Sequence, residues 1–314
     1  MLAVGVAVPL VSYTYAHRLV LLGAKAGSPS VRISTADAQS YASFAATGPS
    51  AFVVLGYSDL NPTTQPDPAH PGRTVAVSSF ASQLAMLHAS GFSSVTPAEL
   101  TAYLTHGTAL PRHAVLITFD GGRERDWTQA DNVLGKYGFT AVVFVDPALV
   151  GKRGSGYLSW TQLATMSTSK RWQVDLDITG SNETAQIAAN GVTGPAVVEH
   201  VWLPATHTVE TTAQYKQRVA TTLRTETAEL LRHDLPAPRL VSYPFDATYP
   251  LVRVTVTFGE LASVTNASFD AGVLSLATDA ASSSTYQAER LLPRIVVYST
   301  TTQRGLFNRI VAAS

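Results

Sequence analysis

The chain has 314 residues, of which 46% are hydrophobic and 14% charged. That composition supplies a large core and excludes a disordered protein. The length fits about two average domains, or one barrel of roughly 200–250 residues. The 22 Lys+Arg and 22 Asp+Glu residues cancel, and no basic cluster suited to nucleic acid stands out, so no nucleic-acid partner is expected. Cysteine is absent, which excludes disulfides and thiolate metal sites.

In chain order, residues 1–16 carry no charged side chain, His17 and Arg18 interrupt, and residues 19–23 are apolar again. Residues 1–25 therefore read as a signal anchor or as a buried N-terminal apolar helix, with membrane anchoring through residues 1–23 under the first reading. Residues 26–50, rich in Ala, Ser, Thr and Gly, read as a linker. Residues 51–56 are the first strand. Residues 61–73 hold four prolines and form a loop. Residues 77–91 read as a helix capped by Ser78 or Ser79, with Phe80, Leu84 and Leu87 on its apolar stripe and Gly91 as its stop. On that helix His88 reads as a solvated residue. After a short strand at 92–95, Thr96-Pro97 opens another helix.

The central stretch is His113-Ala-Val-Leu-Ile-Thr-Phe-Asp-Gly-Gly-Arg123. Its β-branched apolar run is a strand buried on both faces, ended by Asp120 and broken by Gly121 and Gly122. A carboxylate at the end of a buried parallel strand stands where barrels place their chemistry. The same Asp also suits a turn or a helix N-cap. Helix 127–137 and strand 140–145 complete a βαβ unit. Ser159 opens a helix, 172–177 is a strand, and 181–194 is a polar loop. The longest helix covers 211–233 with Tyr215, Val219, Leu223 and Leu230 on one face. Strands at 239–243, 271–278 and 291–298 and a terminal helix at 300–313 follow, while 251–258 is ambiguous between strand and helix.

These motifs resemble the polysaccharide deacetylases with a NodB homology domain. The strand end at Asp120 matches the family's "TFDDG", and Lys136-Tyr-Gly138 with the strand after it matches "KYG-x-x-A-T-x-F". Also similar are Ser159-Trp160 to Met166, Trp172 to Ser181, Tyr243-Pro-Phe245 and Leu291 to Tyr298, all in family order. The resemblance implies a distorted (β/α) barrel over residues 51–314. It implies a polysaccharide or peptidoglycan-type glycan as partner, an extracytoplasmic location, and Zn²⁺ or another divalent metal that removes N-acetyl groups from N-acetylglucosamine polymers.

The residues depart from the family at the metal. The first Asp of the motif, the general base, matches Asp120, but the second, a ligand, is Gly121. The other two ligands, histidines four apart, fall on Asp177 and Ser181, and the family's Y-H-H histidines fall on Ser58 and Asp59. The backbone oxyanion donor falls on Phe245, with Asp246 in place of the usual Gly. One carboxylate does not make a zinc cage, so no cofactor is expected. Two readings stand. In the first, a degenerate deacetylase keeps a glycan groove near Trp160, Tyr243, Phe245 and Arg294. In the second, a rebuilt hydrolase site gathers Asp120, Asp175 and Asp177, as a glycosidase-type carboxylate pair or as a Mg²⁺ or Ca²⁺ site, with His200 or His207 folding in. The first predicts Asp120 at the mouth, partly exposed and close to Asp177.

Overall fold

The computed structural model describes residues 27–62, 72–152, 154, 156–178, 184–243, 258–275 and 290–314. The expected apolar helix at 1–25 and the family positions Ser181, Phe245 and Asp246 lie outside the described residues.

Seven strands close a parallel barrel. In order around it they are β1 (Ala51–Tyr57), β14 (Leu291–Val296), β13 (Ala271–Ser275), β12 (Leu240–Tyr243), β7 (Trp172–Asp177), β6 (Ala141–Val145) and β5 (His113–Phe119). The ring closes where β1 pairs with β5 along its whole length, from Ala51 opposite His113 to Tyr57 opposite Phe119. A short β4 (Ser93–Ser94) extends β5 outside the ring. The buried apolar runs of β5 and β6 follow from this geometry, because strands covered by helices outside and packed inside have no solvated face. One set of side chains fills the interior: Val54, Leu116, Val142, Phe144, Leu240 and Leu292. The alternate residues meet the surrounding helices in the larger core.

Those helices are α2 (Val77–Ala89), α3 (Pro97–His106), α4 (Glu124–Tyr137), α5 (Trp160–Thr168), α6 (Thr212–Arg232), α7 (Phe258–Thr265) and α8 (Gln303–Ala313). Thr96, Ser159 and Thr211 each close a capping box with the residue three positions on, which fixes where α3, α5 and α6 begin. Helix α2 differs from expectation. It starts at Val77 after Ala76, with no side-chain cap, because β3 (Thr74–Ala76) runs directly into it.

Two segments correct the sequence reading. Within the expected linker, residues Thr35–Thr47 form helix α1, capped by Ser34. Its Tyr41 and Phe44 pack against Phe307, and Phe44 also against Phe92 and the His113 ring. Only two buried side chains carry this docking, too few to give the segment a visible apolar stripe. The expected loop at 181–194 holds β8 (Thr184–Gln186) paired with β9 (Thr193–Pro195), followed by the hairpin β10 (Trp202–Leu203) and β11 (Thr208–Val209). Strands this short show no alternation to detect. A further small parallel pair, β2 (Asp59–Asn61) with β3, sits past the end of β1.

Candidate functional site

The C-terminal ends of the barrel strands bring four acidic residues together at one mouth. Asp120 follows β5, Asp146 follows β6, Asp177 ends β7, and Asp59 stands two residues past β1. Asp120 is at the mouth as expected but is buried, only 7% exposed, where partial exposure was expected. The cause is Arg294, which projects from β14 and is 0% exposed. Its Nη1 donates to Asp120 Oδ1 at 2.6 Å and to Thr118 Oγ1 at 3.3 Å. Ser242 Oγ donates to the same Asp120 oxygen at 3.0 Å. The backbone of Asp120 is tied as well, its N–H reaching Tyr57 O at 2.9 Å.

The guanidinium fits because β1 carries Gly56 opposite it. A Cβ there would already stand in contact with Arg294, 3.4 Å from its Nε, so a side chain longer than Ala would meet the guanidinium. The Phe144 ring lies 6.0 Å from the guanidinium carbon, a cation–π distance. A charged residue in an apolar strand was the signal in the sequence. Leu291-Leu-Pro-Arg-Ile-Val has one place for an arginine only if something inside the barrel answers its charge.

Asp177 is buried beside this pair. Burial first, and the Asp120 charge second, push its carboxyl well above the usual carboxylate range, while Arg294 pulls the other way. The charges of Asp146 and Glu226, the latter a buried residue of α6, add to the upward push. These surroundings favour the neutral form of Asp177.

Asp175, expected to join this group, stands apart from it. Its Oδ1 accepts from the backbone N–H of Arg239 at 2.7 Å and of Leu240 at 3.3 Å, at the opposite end of β12. Asp175 and Asp177 share a strand face, but two residues along β7 move the side chain about 6–7 Å down the barrel. Burial raises the Asp175 carboxyl to about 7, with the two backbone donors opposing. The three-carboxylate site does not form.

The remaining candidates fall mainly into packing. Tyr243 is wholly buried, and Arg294 faces the interior, so neither lines an open groove. Trp160 stacks on His233 with ring centroids 3.8 Å apart and planes 8° from parallel. His200 stacks on Tyr215 and donates from Nδ1 to Glu210 O at 2.9 Å, and His207 lies in the β10–β11 turn beside Trp202. Asp59 is gripped by Arg125 and by Thr74 Oγ1 at 2.8 Å, which ties β2 and β3 to α4. Beneath that grip Asp126 Oδ1 accepts from Leu60 N–H at 2.7 Å.

The metal that the family resemblance implies does not fit these residues. Gly121 has no donor atom, and its φ of +83° is a left-handed geometry suited to glycine. Asp177 is a single buried carboxyl whose surroundings disfavour the charged form that metals bind. Among the described residues no group of three or more His, Cys, Asp or Glu side chains is placed to hold a metal ion.

Comparisons with known proteins point to one family of barrels. No protein-family model matches the chain. A putative polysaccharide deacetylase of Bacillus subtilis (strain 168), YxkH, is 34% identical over 74 residues. That match is 24% of this chain, and the chain spans about a quarter, 26%, of that relative's length. Among solved structures, a de-N-acetylase from Aggregatibacter actinomycetemcomitans superposes with a TM-score of 0.66 at 16% identity, covering 82% of this chain and 99% of that one. The BpsB deacetylase domain from Bordetella bronchiseptica gives 0.61 at 18% identity, covering 79% and 96%. The Streptococcus pyogenes deacetylase PplD, solved with acetate, gives 0.59 at 16%, covering 83% and 99%. At these identities the likeness is one of fold, and it gives the chain the (β/α) barrel seen in these deacetylase structures.

Proposed function

We propose that this chain is a polysaccharide deacetylase-like protein of cell-surface carbohydrate metabolism that holds a glycan at the barrel mouth without metal-dependent hydrolysis. One observation carries the reading. The Asp at the family's base position is locked to a buried arginine and a serine, while the ligand positions Gly121 and Asp177 offer no side chain and one buried carboxyl. Amide hydrolysis by the family route needs a Lewis acid to polarise the carbonyl and to activate water. A base alone, without that electrophile, leaves the amide unreactive. Incubating the purified protein with N-acetylglucosamine oligomers and measuring free acetate tests this. Release that a chelator abolishes would overturn the degenerate reading, and calorimetry with the same oligomers reports binding separately.

A second reading has its own support. Asp177, whose burial favours the neutral form, stands beside Asp120, which is paired with Arg294, the pattern of an acid and a base set apart by environment. It makes the mouth a metal-free glycosidase. Asp177→Asn should then abolish any cleavage of glycosidic bonds, and no cleavage by the unmodified chain removes this reading. The location we propose is extracytoplasmic, with anchoring through residues 1–23, where Arg18 is the single charged side chain. Recovery of the full chain in the soluble fraction after carbonate extraction would contradict the anchor.

A further inference from the structure

Basic side chains gather at one end of the barrel. At the mouth, Asp59, Asp120, Asp146 and Asp177 are accompanied by Arg125 and Arg294, which pair with Asp59 and Asp120. At the opposite end, the residue before β5 is Arg112, before β7 Arg171, before β12 Arg239 and before β14 Arg290. Lys170 neighbours Arg171, and Lys136 lies in the last turn of α4, just ahead of β6. Arg112, Lys136, Lys170 and Arg239 are exposed. Acidic residues at this end are fewer. Asp131 pairs with Arg171 and Asp270 with Arg239, both at 2.9 Å, Asp234 stands in the turn before β12, and Glu99 is exposed in the first turn of α3, whose Thr101 donates to Asp270. Arg112 donates to the carbonyls of Ala46 and Gly48, Lys136 to Pro29 O, and Arg290 to Asn266 O. A carbonyl partner satisfies a donor and leaves the positive charge uncancelled.

The first described residues lie at this same end. Pro29 meets Lys136, the Phe44 ring is 4.7 Å from the His113 ring at the start of β5, and Pro49 O is 3.1 Å from His113 Nε2. Val31 and Ile33 press the intervening segment onto the core. Asp120 is removed from this end by the seven residues of β5, about 20 Å at the rise of a parallel strand. Position of the arm and sign of the charge are independent observations, and both select one face.

We propose that the face formed by the N-terminal ends of the barrel strands docks on an anionic lipid bilayer, so that the mouth opens away from the membrane. Basic side chains near an anionic leaflet are each attracted within a Debye length. The inference deepens the proposed surface location and is independent of whether the mouth hydrolyses anything. A docked chain that binds no glycan would remove only the proposed function.

The absence of cysteine makes the test clean, since a single introduced thiol takes the only label. The full chain carries a fluorophore at Thr168→Cys, exposed at the end of α5 on the basic face, or at Ala205→Cys, exposed in the β10–β11 turn between the end of β7 and α6. Each is mixed with vesicles of phosphatidylcholine and equimolar phosphatidylglycerol containing a nitroxide headgroup lipid. The Thr168 label should be quenched and the Ala205 label should not. The paired reversal Lys136→Glu with Lys170→Glu should weaken partitioning into these vesicles by at least about thirtyfold, and added salt should do likewise. Lys216→Glu with Arg224→Glu, on the flank of α6, makes the same change in net charge and should have little effect. Quenching of the Ala205 label, quenching of neither, or equal losses from the two reversals would overturn the proposal. So would charge-dependent binding to a soluble anionic polymer with none to the vesicles.

Discussion

Replacing Arg294 by Met tests whether the ion pair at the mouth is as closed as its geometry indicates. Arg294 is 0% exposed and Asp120 only 7%, and their contact is 2.6 Å. Removing the cation leaves a buried carboxylate, which costs about 3–5 kcal/mol of stability. Met keeps the side-chain volume, so the cavity contribution stays small. The reverse change, Asp120→Asn, is not symmetric. With the Asp120 charge gone, Asp177 loses one of the influences that hold it protonated and can ionise to balance Arg294. Its cost should therefore be about 1–2 kcal/mol, close to that of one weakened charged hydrogen bond. Denaturant unfolding of both variants and of the double variant gives the coupling energy directly. Equal costs for the two single changes, or simple additivity in the double, would refute the argument that Asp177 is the reserve counter-charge.

Asp175 gives a pH test. Its folded carboxyl titrates at about 7 against an ordinary value of 3.8, so its stabilising proton is fully bound below about pH 4 and is lost as pH rises through 7. Asp175→Asn, whose carbonyl can still accept from Arg239 and Leu240, should match the parent near pH 4 and exceed it by up to about 4 kcal/mol near pH 8 in chemical unfolding. An advantage that does not grow with pH would contradict the raised value. Gly56→Ala should leave stability within about 0.5 kcal/mol of the parent in the same assay, since its Cβ would meet Arg294 Nε at an ordinary contact distance of 3.4 Å. Gly121→Asp, Asp177→His and Ser181→His together should bind Zn²⁺ after dialysis by elemental analysis, and each alone should not, because two ligands fall short of a cage. Stoichiometric zinc in the unmodified protein would mean that the family register is misplaced.

The barrel was legible because its signals are local. Buried runs such as Ala114 to Phe119 and caps at Thr96 and Ser159 declare an element without reference to anything distant. The site was legible in position but not in state. The end of β5 marked Asp120 as a mouth residue, yet its burial depends on Arg294, 174 positions away in the chain. The grouping of Asp175 with Asp177 failed for a related reason. Alternation gives the face of a strand, whereas the layer within a barrel depends on the stagger against the next strand, here the start of β12 at Leu240. Helix α1 and strands β8 to β11 were missed because their docking rests on few side chains, such as Phe44 and Val197, rather than on a repeating pattern.

The closing seam of the barrel governs when this protein can finish folding. Strand β1 pairs with β5 on one side and, near the other end of the chain, with β14 on the other, Leu55 opposite Ile295. A ribosome releasing the chain from its N-terminus has made β1 long before its second neighbour exists. Until β14 and α8 emerge, one edge of β1 and the cavity meant for Arg294 stay open, and such edges invite pairing with other chains. Closing so long a loop is slow but adds little to its entropic cost, since that cost grows only with the logarithm of length. Deleting the chain from β14 onward would therefore remove more than a terminal helix. It would leave the ring with a gap at its first strand, and the mouth carboxylates without the cation that lets them be buried.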